Sequence, residues 1–205
     1  MERKNKHTKM GLSRFGKSSI RRTRQTVIFL VEGKNTEPAY FDWLRKQGLV
    51  NEKFNLKLQH AEGATSAKSL LTRAKRIRKE NPDAYLCVIL DKDENSNEVL
   101  NSLQAWARKF PEKCKVAITF PKFELFLLMH YGDVSGLNSA GAIDHQMELY
   151  QPGYCRKKIP NLERLSADDV SEALKRARLA KNQLPERNAS QIAELVQWLI
   201  KADER

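Results

Sequence analysis

The sequence predicts an α/β fold in which a mainly parallel, four-stranded sheet is flanked by helices. Short runs of β-branched and aromatic residues alternate with longer segments of helical periodicity, in the order β-α-β-α-β-α-β-α. Parallel strands need long crossover connections, which helices usually supply. Beyond residue 133 we expect only helices, so a helical C-terminal extension completes the predicted fold.

The four predicted strands are apolar runs at 25–31, 54–60, 84–90 and 114–120. The run AYLCVIL at 84–90 is uninterrupted, which is typical of a strand buried on both faces. The run FNLKLQH at 54–60 alternates apolar and polar residues, which indicates a more peripheral strand.

The helices are expected at about 37–48, 65–79, 98–110, 121–132, 138–149, 167–182 and 189–202. Thr36 is a plausible N-cap of the first helix, and Thr65 or Ser66 could cap the second. Asn81 and Pro82 end the second helix, because proline cannot continue it.

The amino-acid composition argues for a globular protein and against membrane-spanning and disulfide-rich proteins. The chain has 205 residues, of which 40% are hydrophobic, so it can bury the core of one domain. Its apolar runs are far shorter than the ~20 residues of a membrane helix, so no membrane partner is expected. Three cysteines without CxxC spacing argue against a disulfide framework and a cysteine-rich zinc site. We expect a cytoplasmic protein.

Most of the excess positive charge lies near the start of the chain. The formal net charge is +12, and residues 1–24 hold nine basic residues against the single acidic residue Glu2. We therefore divide the chain into a basic flexible arm (1–24), an α/β core (25–132) and a helical extension (133–205). The arm, including Arg21, Arg22 and Arg24, is predicted to contact nucleic acid through its phosphates; the alternative is a solubilising tail.

Acidic residues follow three of the predicted strands. Glu32 follows the first, Asp91 and Asp93 follow the third, and Glu124 lies four residues after the fourth. Ligands of parallel α/β sheets bind beyond the carboxyl ends of the strands, and oxygen-only clusters suit Mg²⁺ or Mn²⁺. The alternatives are ordinary acidic turns and, for Glu32, a salt bridge to Lys34 or a contact with the N-terminus of a helix.

Two further sequence features bear on the reaction that the predicted site could catalyse. The segment EGKNT at 32–36 is not a P-loop, because that motif requires glycine where Ile28 stands. His130 ends an apolar helix, where it is either a cap on the helix dipole or a general acid or base.

These stretches together resemble the RloB-like proteins, which carry a Toprim-type domain. The matching segments are VEGKNTEPAYF at 31–41, LDKD at 90–93, FELFLLMH at 123–130 and YCRKK at 154–158. The resemblance runs from about residue 20 to 202. The family usually has Asn-Pro directly before Phe-Glu, whereas here Lys122 separates Pro121 from Phe123, and Phe126 stands where the family often has tryptophan.

The resemblance implies a Toprim or Rossmann-like fold and a metal-dependent nuclease acting on RNA, including tRNA, or on DNA. It further implies antiphage defence by abortive infection, often beside a partner ATPase. Carried to this sequence, Glu32, Asp91 and Asp93 would hold Mg²⁺ or Mn²⁺, and Glu37 or Glu124 would complete the shell. His130 and Lys34 would contact phosphate.

Two other functions stay open at this point. For the nuclease, basic groups that include Arg156, Lys157 and Lys158 favour a surface that contacts successive phosphates of a nucleic acid, although each group is also typical of a solvated surface. A non-catalytic nucleic-acid-binding or sensor subunit controlled by a partner ATPase would use the carboxylates structurally. Topoisomerase or primase chemistry is disfavoured, because no tyrosine stands out as a nucleophile. A homodimer is left open.

Overall fold

The computed structural model describes residues 23–60, 66–92, 95–155, 158–177 and 189–201. The strands are β1 (Gln25–Val31), β2 (Phe54–His60), β3 (Tyr85–Asp91), β4 (Cys114–Phe120) and β5 (Ala189–Ser190). The helices are α1 (Thr36–Lys46), α2 (Ala67–Glu80), α3 (Asn97–Ala107), α4 (Glu124–Tyr131), α5 (Ala140–Tyr150), α6 (Ala167–Arg176) and α7 (Ile192–Lys201).

The strands form one five-stranded sheet in the order β2-β1-β3-β4-β5. Strands β1 to β4 are parallel, and β5 runs antiparallel to β4. The predicted α/β class with a mostly parallel, helix-flanked sheet is confirmed, and the arrangement is consistent with a Rossmann-like fold. The chain leaves β1 toward β2 and leaves β3 toward β4, so the strand order reverses between β1 and β3. Such a switch point opens a crevice at the carboxyl ends of the two strands.

The prediction of four strands, with only helices beyond residue 133, was wrong at β5. Ala189 and Ser190 pair with Phe120 and Thr119, and the hydroxyls of Thr119 and Ser190 lie 2.8 Å apart. Gln191 extends the contact between β5 and β4. Its backbone N–H donates to Ile118 O, and its side-chain Oε1 accepts from the Ile118 N–H. Helix α7 therefore begins at Ile192 rather than at 189. A two-residue strand is too short to leave a periodic pattern.

Helices cover both faces of the sheet. Side chains alternate along β1, so Val27, Phe29 and Val31 join the core on one face while Ile28 and Leu30 join the core on the other. Residues of α2 and α3 fill the second core. Residues of α1, α4, α5, α6 and α7 share the first, so the C-terminal helices pack on the same hydrophobic cluster as the strands. Within the described ranges, no helix is both long and apolar enough to cross a membrane.

Candidate active site

A pocket of about 220 Å³ lies at the carboxyl ends of β1 and β3. Four carboxylate side chains and two lysines line it, together with small and polar residues. The charged lining residues are Glu32, Lys34, Glu37, Asp91, Lys122 and Glu124. The structure therefore brings Glu32, Asp91 and Glu124, three of the acids that follow predicted strands, to one pocket, and Lys34 lines the same pocket.

Pairing of β1 with β3 positions the carboxylates of Glu32 and Asp91. Val31 is in register with Ile89, and the Glu32 N–H donates to Ile89 O at 3.2 Å. The Asp91 N–H in turn donates to Glu32 Oε2 at 3.3 Å, which holds the Glu32 carboxylate beside the end of β3. Burial raises the pKa of Asp91 well above its ordinary value, and the charges of Glu37, Glu124 and Glu32 raise it further.

Glu37 reaches the pocket from the first turn of α1. Its side chain is buried, and its Oε1 accepts a hydrogen bond from the Gly33 N–H at 3.1 Å. Burial raises the pKa of Glu37 to about 7, with the charge of Glu124 adding to the effect and backbone hydrogen bonds opposing it. A Cβ on residue 33 would lie 2.1 Å from Glu37 Oε2, so glycine is what allows this close approach.

Glu124 enters the pocket at the start of α4 and is held by two hydroxyls. Thr36 Oγ1 donates to Glu124 Oε1 at 3.1 Å, and Tyr154 Oη donates to the same oxygen at 2.7 Å. Thr36 thus orients a carboxylate 88 residues away instead of capping α1, whose N-cap is Asn35. Tyr154 lies within a segment quoted for the family resemblance, but the sequence did not assign it to the site.

Lys122 is the second functional residue that sequence reasoning missed. It is 1% exposed, lines the acidic pocket and forms an ion pair with Asp144 of α5. A fully buried lysine is rare unless it is paired, and Asp144 supplies the partner here. The available signal was a lysine two residues before Glu124 in the mostly apolar segment PKFELFLL at 121–128.

A family model described as RloB-like protein matches residues 27–199. The chain belongs to the RloB-like family. The matched range begins within β1 and ends within α7, so the RloB-like region contains every residue that lines the acidic pocket. No curated protein and no solved structure matches the chain.

The remaining site residues predicted for this RloB-like chain fall elsewhere. Arg24 is exposed and precedes β1, so it lies at the opposite end of that strand from the pocket. Lys158 is exposed, and its Nζ donates to Gly153 O at 2.7 Å. The other predicted residues lie outside the described ranges: Asp93, Arg21, Arg22, Arg156 and Lys157.

His130 lies in the core rather than at the acidic pocket. It is 2% exposed, with Nδ1 3.0 Å from Phe126 O and Nε2 3.0 Å from Tyr40 Oη. Only an N–H can pair with a carbonyl, so Nδ1 donates and Nε2 accepts from the tyrosine hydroxyl. Both ring nitrogens are thus engaged in a neutral imidazole. We accordingly leave His130 out of the proposed catalytic residues.

This buried histidine makes stability depend on pH. Burial lowers the pKa of His130 from 6.5 to about 4. The unfolded chain then binds more protons between those values, so this contribution to stability is lost as pH falls from about 6.5 toward 4. Relative to a His130→Gln variant, the wild type should lose about 3 kcal/mol across this window. Urea unfolding of both proteins at several pH values measures the difference, since other titrating groups are common to both; parallel profiles would contradict the assignment.

The donor chemistry of the pocket fits a hard divalent cation. Its candidate ligands are all oxygens, which suit Mg²⁺ or Mn²⁺ better than zinc. Within the described residues, however, no three His, Cys, Asp or Glu side chains are grouped tightly enough to hold a metal ion as they stand. Glu37 and Glu124 already accept hydrogen bonds from protein donors, so a bound cation would share these two carboxylates with those donors.

Proposed function

We propose that this RloB-like chain is a Mg²⁺- or Mn²⁺-dependent nuclease that hydrolyses phosphodiester bonds in the cytoplasm. The observation that carries this proposal is the convergence of four carboxylates and a buried lysine on one pocket at the switch point of the sheet. The Toprim-type activity and the role in antiphage defence that the family resemblance implies belong to the same proposal. Its substrate class is RNA, including tRNA, or DNA.

Electrostatic repulsion within the pocket supports a cation there. Besides burial, the charges of Glu124 and Glu32 raise the pKa values of both Glu37 and Asp91. A divalent cation would offset this repulsion and favour the ionised carboxylates. When bound, such an ion polarises a phosphoryl oxygen and activates water for in-line attack.

The protein groups have distinct roles in this proposal. Glu32 and Asp91 hold the cation, joined by Asp93 according to the family pattern. Thr36 and Tyr154 orient Glu124. The Gly33 N–H orients Glu37, and these two carboxylates complete the set of oxygen donors. Lys122 and Lys34 attract the phosphate group to the acidic pocket. The net charge of +12 favours association with a polyanion, with affinity that falls as salt rises.

One observation favours a second function. Glu37 and Glu124 already have protein hydrogen-bond donors, and no described trio of acids stands ready to bind a metal ion. In a non-catalytic nucleic-acid-binding or sensor subunit, controlled by a partner ATPase, the carboxylates would serve structurally, as acceptors of these hydrogen bonds.

The direct test is cleavage of total cellular RNA and plasmid DNA by the full chain with Mg²⁺ or Mn²⁺. Chelation by EDTA is the control, and calorimetric titration with Mn²⁺ measures binding independently. We expect cleavage that EDTA abolishes. A folded chain that binds Mn²⁺ but cleaves neither polymer would favour the non-catalytic function, and one that does neither would refute a metal site.

Gly33→Ala tests the placement of Glu37. The new Cβ displaces a carboxylate that lies 2.1 Å from its position, so we expect Mn²⁺ affinity to fall about tenfold, the scale of disturbing groups that orient a metal ligand. Gly141→Ala is the matched control, because its Cβ meets nothing within 4 Å. Calorimetric titration compares the two variants, and equal affinities would exclude Glu37 from the metal site.

A further inference from the structure

A second, larger cavity adjoins the acidic pocket. It has a volume of about 450 Å³ and lies among the end of α4, the end of α5 and the segment that follows α5. The lining side chains that matter here are Tyr131, Tyr150, Tyr154, Lys158, Ile159 and Arg164. The cavity therefore combines aromatic rings with two basic side chains.

Two of the tyrosines form a stacked platform. The rings of Tyr131 and Tyr150 have centroids 4.8 Å apart and planes inclined by 18°. Tyr131 is anchored, because its Oη accepts a hydrogen bond from Gln151 Nε2, while Gln151 also bonds both backbone groups of Asn161. Tyr150 lies on this fixed ring and remains 39% exposed, so a planar ligand can reach it.

Tyr154 connects this platform to the acidic pocket. Its side chain lines the cavity, while its hydroxyl donates to Glu124 Oε1 at 2.7 Å. A ligand in the cavity thus lies within about the length of one tyrosine side chain of the Glu124 carboxylate. The two sites are close enough for one polymer to occupy both.

Charge distinguishes the two sites from each other. The acidic pocket holds four carboxylates, whereas the charged lining residues of the cavity are Lys158 and Arg164, both exposed. Ile159, which is 69% exposed, adds an apolar wall. The cavity therefore suits a ligand with a flat ring for the tyrosines and a negative charge for the two cations.

We propose that this cavity binds an unpaired nucleobase of the polynucleotide whose phosphodiester group lies at the acidic pocket. The inference rests on the proposed nuclease function and assigns single-stranded nucleic acid as the preferred substrate class. Aromatic side chains stack on bases of single strands, while basic groups track the backbone. A base inside a duplex has both ring faces occupied, so it cannot enter the cavity without being extruded.

Fluorescence anisotropy in EDTA measures this binding without cleavage. The probes are a short labelled oligothymidylate and an abasic strand of the same length, and the protein is the full chain. The wild type should bind the oligothymidylate about tenfold more tightly, the scale of stacking one base on an aromatic ring. Tyr150→Ala should remove this preference, and Tyr150→Trp should retain it. Leu149→Ala is the control, because Leu149 is 61% exposed on α5 but is not part of the cavity lining.

Several outcomes would overturn the proposal. Equal binding of the two probes by the wild type is one, and a preference that survives Tyr150→Ala is another. An equal loss on both probes would assign the effect of Tyr150 to folding, and a changed oligomeric state would assign this surface to a second copy. Should Tyr150→Ala fail to fold by circular dichroism, Tyr150→Leu decides, since leucine keeps apolar volume but cannot stack. Failure of the nuclease itself appears separately, in the metal-dependent cleavage assay.

Discussion

Replacing Glu32 by glutamine should lower metal-dependent cleavage about 1,000-fold while leaving the chain folded, the scale of removing one electrostatic partner of a transition state. The Glu32 carboxylate accepts the Asp91 N–H at the switch point between β1 and β3. A glutamine oxygen can still accept that hydrogen bond, so local structure survives. The negative charge needed to hold a divalent cation is lost. Initial cleavage rates and thermal unfolding of the two proteins measure the two effects separately.

Glu52→Gln is the matched control for this prediction. Glu52 is exposed and precedes β2, so it lies at the amino end of the sheet, away from the pocket. The control should cleave at the wild-type rate. Full activity of Glu32→Gln would refute the proposed metal site, whereas parallel loss of stability and activity would indicate a structural role for Glu32.

Replacing Lys122 by methionine should lower the cleavage rate about 100-fold, because the pocket then loses the buried ammonium group of this lysine. Methionine keeps the length and apolar stem of the side chain. The carboxylate of Asp144 is 44% exposed, so water can solvate it once the ammonium group is gone. We therefore expect the loss to appear in the cleavage rate rather than in thermal stability.

The matched variant Asp144→Asn separates two roles of Lys122. It breaks the ion pair between Lys122 and Asp144 but leaves the ammonium group in the acidic pocket. If Lys122 acts on the phosphate group, Asp144→Asn should retain cleavage within about threefold, which corresponds to less than 1 kcal/mol. If instead the ion pair serves only to dock α5, both variants should lose stability together. Cleavage rates and unfolding midpoints of both variants decide between the two roles.

Local patterns in the sequence were sufficient for the main strands. The runs at 25–31, 54–60 and 114–120 coincide with β1, β2 and β4, and the run at 84–90 differs from β3 by one residue at each end. Buried parallel strands leave continuous apolar runs, and crossover helices separate them by a readable distance. Strand-end carboxylates could be located for the same reason.

Helix boundaries late in the chain were less predictable. Helix α6 ends at Arg176 rather than near 182, and Ala177 is extended. Helix α7 begins three residues later than expected because Ala189 and Ser190 pair with β4. These boundaries depend on contacts with distant residues, which local propensity does not encode.

The sequence by itself determined the fold class, the four parallel strands and the carboxylates that follow them, since strand periodicity and strand ends are local properties. Tertiary structure alone decided which groups complete the acidic pocket. Tyr154 and Thr36 reach Glu124 across 30 and 88 residues, and Lys122 becomes buried only where α5 supplies Asp144. Tertiary packing likewise placed His130 against Tyr40, away from the pocket. Burial and hydrogen-bond partners arise from packing between elements, and packing is a property of the folded chain as a whole.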